Sequence, residues 1–473
     1  MRVNESLSAD ASATDASIPI SRPHLAALDG ARFIAAFCVL AGHGYWYVVA
    51  QQADQPGPLA RVMRDLPGVG MTLFFVLSGF VIHLNYHKTV GAARGGTFDF
   101  FIARFARLYP LFLAVFAIDF LQLLQLQGYA AGHPRFDVDL FGPLPFFLSL
   151  TQSWLFIPFE GHPLYEHYAV ITSQVGANGA MWSISTEWLF YAVYPLLSAR
   201  LARRHGGSLA VLAGLVGLTG LFYYVWCAYH VPALQMFAMA HFHSARLANE
   251  FIGWVVFYSP LGRITEFLLG AVAAQYFVSR PYPKGLIARH PLAATTGVAA
   301  AFAAWYVGTS AAAIPLTSVN ASCGAIAVAA FVLLIARFET PVSRLLAHPL
   351  LVKGGEASYS LYLLHFFTLH QWTAPYAFRL STPGRVVALL AGMLISLALA
   401  RVVYLLFEQP SRRWLRRNFK PLRLHLVIVA TFVAITCLCV AAALQTVQVR
   451  RFCAANAQVD CTELGIVRSA LHP

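Results

Sequence analysis

The sequence predicts an all-α protein, a polytopic integral membrane protein with about eleven transmembrane helices. Three observations lead there. Of 473 residues, 58 % are hydrophobic and only 11 % are charged, against roughly 25 % charged in a soluble domain. The apolar residues gather in runs of roughly 18 or more, the length a helix needs to cross a bilayer. A backbone in lipid must satisfy its own polar groups, so such runs are helices. The basic residues fall in short segments between the runs and alternate along the chain, as the positive-inside rule requires.

The expected spans are 31–49, 68–84, 105–125, 181–199, 208–227, 264–279, 292–310, 318–336, 358–374, 386–407 and 425–445. With the N-terminus in the cytoplasm, the inner loops hold Lys88, Arg94 and Arg104, then Arg200, Arg203 and Arg204, then Arg280, Lys284 and Arg289, then Arg337, Arg344 and Lys353. The last inner loop carries Arg412, Arg413, Arg416, Arg417, Lys420 and Arg423, and the outer loops are sparser. Two apolar stretches stay outside the count. Residues 141–159 contain Pro143, Pro145 and Pro158, and residues 251–260 are too short to span. Counting either would invert every later loop, so both read as re-entrant or interfacial pieces of outer loops. Residues 1–23 read as a disordered cytoplasmic tail, 24–420 as the membrane domain, and 421–473 as an extra span with a short periplasmic tail. Cys453 and Cys461 lie in that tail, where a disulfide and two free thiols both stay open. The net charge of +13 sits in short loops, so it marks topology against a lipid bilayer and does not argue for nucleic acid.

Polar residues inside these runs are the candidates for chemistry, since ionisable groups in a membrane are costly. Arg32 and His43 in LDGARFIAAFCVLAGH are eleven residues apart, about three turns, so they share one helix face roughly 16 Å apart along the axis. His43 is either a general base or a polar contact across a helix interface. Asp29 reads as the N-cap of that helix. Ser78 and Gly79 interrupt the aromatic-rich helix of MTLFFVLSGFVIH, where small residues allow close approach of a backbone or a thin ligand. Arg104 and Arg107 of RFARLYP share one face at the cytoplasmic end of the third span. They suit phosphate groups or ordinary membrane anchoring. In MWSISTEWLFYAVYP, Ser183, Glu187, Tyr191 and Tyr194 form a polar stripe. A buried Glu187 needs a partner, for which His43 and Arg32 are candidates, and a role in orienting an acceptor hydroxyl is also open. Arg263 and Glu266 of GRITEFLLG are three apart and suited to pair. Ser358, Tyr362 and His365 share a face in SYSLYLLH, with His365 either a site residue or a satisfied polar contact. FEQPSRRWLRR reads as a cytoplasmic anchor. There is no Gly-x-Ser-x-Gly elbow, no phosphate-binding loop and no metal-spaced His pair, so no metal is expected.

The ordered set LDGARFIAAFCVLAGH, FFVLSGFVIH, RFARLYP, NGAMWSISTEWLFYAVYP, GRITEFLLG, SYSLYLLH and FEQPSRR resembles the acyltransferase family 3 membrane proteins, which O-acylate bacterial polysaccharides, lipopolysaccharide, Nod factors and some antibiotics. The resemblance covers about 24–414. It implies that His43 is the essential catalytic His, assisted by Arg32 and Glu187. It implies acetyl-CoA as acyl donor, held by Arg32, Ser78, Gly79, Arg104 and Arg107, with Ser78, Gly79 and Phe80 in a turn. A carbohydrate acceptor, lipid-linked or not, would meet Trp182, Tyr191, Tyr194, Glu266 and His365. The location implied is the bacterial inner membrane. The family's usual LDGLRG opening is here LDGARF, with Phe33 in place of a glycine. The chain resembles stand-alone members without a fused SGNH hydrolase-like domain. A transporter or flippase of a lipid-linked glycan, and an acyltransferase acting on a secondary metabolite, are the alternative expectations.

Overall fold

The computed structural model describes residues 22–50, 57–90, 96–130, 153–154, 180–242, 245–279, 285–312 and 323–418. They are helical throughout, with no strand among the described residues. In order these are α1 (Arg22–Gly44), α2 (Pro58–Tyr86), α3 (Gly96–Ala130), α4 (Met181–Ala202), α5 (Gly207–Phe242), α6 (Ala245–Gly253), α7 (Pro260–Ser279), α8 (Pro291–Ala311), α9 (Ala325–Arg337), α10 (Ser358–Phe366), α11 (Thr382–Val403) and α12 (Gln409–Asn418), with shorter helices between some of them. Of the expected tail 1–23, residues 1–21 lie outside the described residues and residues 22–23 are already helical in α1; most of 141–159, the span at 425–445 and Cys453 and Cys461 also lie outside the described residues.

Among the described residues, six helical runs are long and apolar enough to cross a membrane. The expected spans 105–125, 181–199 and 358–374 are also helical, as α3, α4 and α10 with its continuation, but are not among the six. Glu187 in 181–199 and His365 in 358–374 are among the polar residues that lower the apolar character of those two segments. The expected span 318–336 is helical as α9 over Ala325–Arg337, which is short for a crossing. Residues 251–260 are not a separate interfacial piece. Phe251–Ser279 is one apolar run, broken where Ser259 turns extended between a π-helical stretch and α7. Asp29 is no N-cap, because α1 begins at Arg22 and Asp29 lies inside it. Its carboxylate takes the Arg32 guanidinium at 2.8 Å.

The helix α2 organises the packing, because it has two interaction stripes. Thr72, Val76, Gly79 and His83 recur at helical spacing and face α7. Thr72 Oγ1 donates to Glu266 at 2.7 Å, and the His83 ring meets Gln275 Oε1 at 2.8 Å. Between these ties the backbones nearly touch. A Cβ on Gly79 would collide with the Phe267 carbonyl, and one on Gly270 with the Val76 carbonyl. Small residues permit this approach, and dispersion plus interhelical hydrogen bonds hold it. The sequence therefore does not turn at Ser78 and Gly79; α2 runs straight through them.

Aromatic rings fill the space between α2, α4 and α7. Phe75 meets Trp182 and Phe190 edge-on, and Phe190 stacks on Phe267 at 5.0 Å. Beneath them the Arg263–Glu266 ion pair is closed at 2.8 Å, with side chains 1 % and 0 % exposed. Burying two charges is tolerable only when they are paired and hydrogen-bonded, and Thr72 and the Phe257 carbonyl supply further bonds. Gly79→Val should separate α2 from α7 and lower the melting temperature in detergent, at a cost of about 1–3 kcal/mol or more from overpacking. A melting temperature equal to wild type would contradict this packing.

Candidate active site

With one stripe of α2 committed to α7, the opposite stripe (Met71, Phe74, Phe75, Ser78, Val81 and Ile82) lines a cavity of about 650 Å³. Arg32 enters from α1, Arg104, Arg107 and Leu108 from α3, Ser183, Ile184 and Glu187 from α4, and Ser358, Tyr359 and Tyr362 from α10. Each helix gives the same polarity along the cavity. Arg32, Ile82, Glu187 and Ser358 lie toward the arginine end, while Met71, Phe74, Ser183 and Tyr362 lie toward the other.

The arginines are held differently. Arg104 is 7 % exposed, donates to the Tyr86 hydroxyl at 3.2 Å and lies over the rings of Tyr86, Phe100 and Tyr191. Its Nε is buried without a hydrogen-bond acceptor. Arg32 is anchored by Asp29. Arg107 makes no hydrogen bond or ion pair among the described residues, although it lines the cavity. Three guanidinium groups thus converge with spare donor capacity, and only Glu187 contributes a carboxylate to the lining. This end fits an anionic, phosphate-bearing ligand, because guanidinium forks bind such groups bidentately.

Glu187 pairs with neither His43 nor Arg32. It accepts from Ser78 Oγ at 2.9 Å and from the Tyr191 hydroxyl in a short hydrogen bond. Two hydroxyls thus stand where an ion pair was expected, and they fix the carboxylate across the α2–α4 interface. Toward the other end, Ser183 Oγ donates to the Tyr362 hydroxyl at 2.8 Å, and that hydroxyl donates to the Ala180 carbonyl at 3.1 Å. Phe74 lies edge-on to Tyr362, ring centroids 5.8 Å apart, and Tyr362 is followed along the same face by His365, 5.9 Å from it. Beyond this wall His43 Nδ1 meets His365 Nε2 at 2.9 Å, with the rings nearly parallel at 12°. Arg32 and His43 therefore bracket the cavity from one helix, as their spacing suggested.

Other sequence candidates sit elsewhere. Gly79 belongs to the α2–α7 contact and does not line the cavity. Trp182 packs among Phe75, Phe257 and Tyr258. Tyr194 bonds His83 at 3.2 Å, and Tyr191 serves Glu187 from outside the lining. Glu266 is consumed by Arg263 and Thr72. None of these residues is part of the cavity lining. Phe33, at the position where the family has glycine, lies against Gly354 and not in the lining. Glu408, within the FEQPSRR motif read as an anchor, also belongs to this region. It is buried, accepts from Ser360 Oγ at 2.5 Å, and lies within electrostatic reach of Arg107 and Arg412. Arg412, read as an anchor, also feels Arg104 and Arg107.

Residues 25–405 match the family described as an acyltransferase domain. The chain belongs to acyltransferase family 3. It is 28 % identical over 418 residues to Acyltransferase MdmB of Streptomyces mycarofaciens, covering 83 % of this chain and 93 % of that protein. It is 26 % identical over 354 residues to Nodulation protein 10 of Rhizobium leguminosarum bv. viciae, covering 73 % and 82 %. A third relative, Protein 2 in picA locus of Rhizobium radiobacter, is 29 % identical over 180 residues, covering 37 % and 82 %. No solved structure matches significantly. The protein is thus a multi-pass membrane acyltransferase.

Glu187→Leu should strand the buried Tyr191 hydroxyl and cost roughly 1–3 kcal/mol, whereas Glu187→Gln keeps an acceptor and most of the stability. Thermal melting in detergent reads the difference, and equal melting temperatures for Leu and wild type would contradict the assigned hydrogen bonds.

Proposed function

We propose that this acyltransferase moves an acetyl group from cytoplasmic acetyl-CoA to a hydroxyl of a carbohydrate acceptor, a cell-surface polysaccharide or lipopolysaccharide sugar, in the bacterial inner membrane. The observation that carries the proposal is the cavity itself, with three arginines at one end and His43 behind its opposite wall. Arg32, Arg104 and Arg107 bind the phosphates of the donor, and the thioester arm runs between α2, α4 and α10 toward Phe74 and Tyr362. The arginine end faces the cytoplasm in this reading. Arg344 and Lys353 lie in the short helices beside the start of α1, where the positive-inside rule favours that side.

The chemistry follows from the groups present. A sugar hydroxyl is a weak nucleophile until a positioned base removes its proton. His43 accepts that proton as the hydroxyl oxygen attacks the thioester carbonyl. The carbon–sulfur bond breaks, and the leaving thiolate takes the proton back from His43. The ester and the free thiol leave with charge balanced, and His43 returns to its starting state. Ser183 and Tyr362 supply hydroxyl groups near the reacting end, and Glu187 holds the middle of the cavity polar. An acyl group carried on the His43 imidazole is the other route this site allows, and single-turnover trapping of acyl-enzyme distinguishes the two.

The test is acetyl transfer from radiolabelled acetyl-CoA into glycan or lipid-linked fractions of membranes containing the protein. His43→Ala should lower kcat at least 10²-fold, the usual contribution of a general base, without weakening donor binding. Arg107→Ala should raise KM for the donor about 10- to 100-fold, as expected when a charge-assisted hydrogen bond of roughly 1.5–3 kcal/mol is lost, with kcat and melting temperature little changed. Full transfer by His43→Ala would refute the mechanism.

A further inference from the structure

The His43–His365 pair contains enough hydrogen-bond information to fix which nitrogen of His43 reacts. Nδ1 of His365 lies 2.6 Å from the Tyr362 carbonyl oxygen. A carbonyl oxygen only accepts, so this Nδ1 carries the proton. A neutral imidazole has one N–H, so Nε2 of His365 holds a lone pair and accepts. The atom facing it at 2.9 Å is His43 Nδ1, which must then be the donor. The single hydrogen of His43 is therefore on Nδ1, and Nε2 is left with the lone pair. Among the described residues this Nε2 has no hydrogen-bond partner. A doubly protonated His365 would put a charge at a site 1 % exposed with no carboxylate among its described hydrogen-bond partners, which is unfavourable.

The surroundings hold both rings in this relation. Each helix widens into a π-helical stretch just after its histidine, Tyr45–Ala50 after His43 and Phe367–Thr373 after His365. Such stretches recur at functional sites, and these two contact each other. Gly44 lets Leu369 and Leu389 close against α1, where a Cβ would meet both. Thr368 Oγ1 donates to the His365 carbonyl at 3.0 Å and shares a hydrogen bond with Ser396. Tyr47 packs against Phe366 and His370 on the other side.

We propose that His365 is a positioning residue that locks His43 in the Nδ1–H tautomer, so that Nε2 of His43 is the atom that takes the acceptor's proton. The Tyr362 carbonyl, His365 and His43 form a relay in which a neutral imidazole does the orienting that a carboxylate does in hydrolase triads. When Nε2 of His43 gains a proton, its Nδ1–H bond to His365 becomes charge-assisted and stronger, which stabilises the imidazolium without a buried anion. This assignment rests on the reading of His43 as the base.

Two measurements test it. The first is nitrogen-15 NMR of histidine-labelled protein in lipid, with the His43 signals identified by their loss in His43→Ala. The expected spectrum shows His43 protonated at Nδ1, and an Nε2–H tautomer would overturn the proposal without any variant at His365. The second is acetyl-transfer kinetics of His365→Leu and His365→Gln, with acetyl-CoA binding as the check of folding. Leu should lower kcat on the order of 10²-fold or more at unchanged donor KM. Gln should restore much of the loss, because its side-chain oxygen can accept from His43 Nδ1. Wild-type kcat in His365→Leu beside an inactive His43→Ala would overturn the relay and leave the function standing. Wild-type transfer by His43→Ala would instead remove the reading on which the relay rests.

Discussion

The close approach of α2 and α7 is the constraint on which the rest of the site depends. Gly79 and Gly270 let two backbones meet, while Thr72–Glu266 and His83–Gln275 tie the same interface above and below. A helix locked along one stripe must present the opposite stripe elsewhere, and in α2 that stripe is Met71, Phe74, Phe75, Ser78, Val81 and Ile82. The cavity exists because α2 cannot rotate. Moving α2 by one residue, about 100° of rotation, would put Gly79 where Ser78 meets Glu187 and would drive a side chain into the Phe267 backbone.

The same economy governs the polar groups. Within an apolar environment each buried donor or acceptor needs a partner, and the structure spends its polar residues in closed sets. Arg263, Glu266 and Thr72 bond one another behind the aromatic core, with Glu266 Oε2 left over. Glu187, Ser78 and Tyr191 span the cavity. Tyr362, His365 and His43 close the far end. The arginines are the exception, since Arg107 and the Arg104 Nε keep donor capacity for a ligand.

Much of this was legible in the sequence, and the failures have physical causes. A spacing of eleven puts Arg32 and His43 on one face of α1; Arg32 lines the cavity, whereas His43 stands behind the Phe74–Tyr362 wall, paired with His365. A spacing of three between Arg263 and Glu266 points to the ion pair that the structure closes at 2.8 Å. The partner of Glu187 was misjudged, because a carboxylate can be satisfied by hydroxyls whose helices are distant in sequence. Gly79, Trp182, Tyr191 and Tyr194 were placed on the ligand side, yet all four pack inward. In a helix surrounded by protein, glycine and aromatic residues occupy every face, so periodicity cannot say which stripe meets a ligand and which meets a neighbour. Asp29 looked like a cap because the apolar run starts after it, whereas the helix starts seven residues earlier, at Arg22. Hydropathy marks the buried α2 and α7 as readily as the helices around them. In α4 and α10 the polar residues, Glu187 and His365 among them, weaken that signal.

In the proposed function one cavity carries the donor from the arginines to His43. A cryo-EM structure of the protein in lipid nanodiscs with CoA bound tests this directly. Phosphate density is expected against Arg32, Arg104 and Arg107, with the pantetheine arm between α2 and α10 and its sulfur beside Tyr362 and the His43–His365 pair. Nucleotide density away from these arginines, or a thiol end directed away from His43, would contradict it.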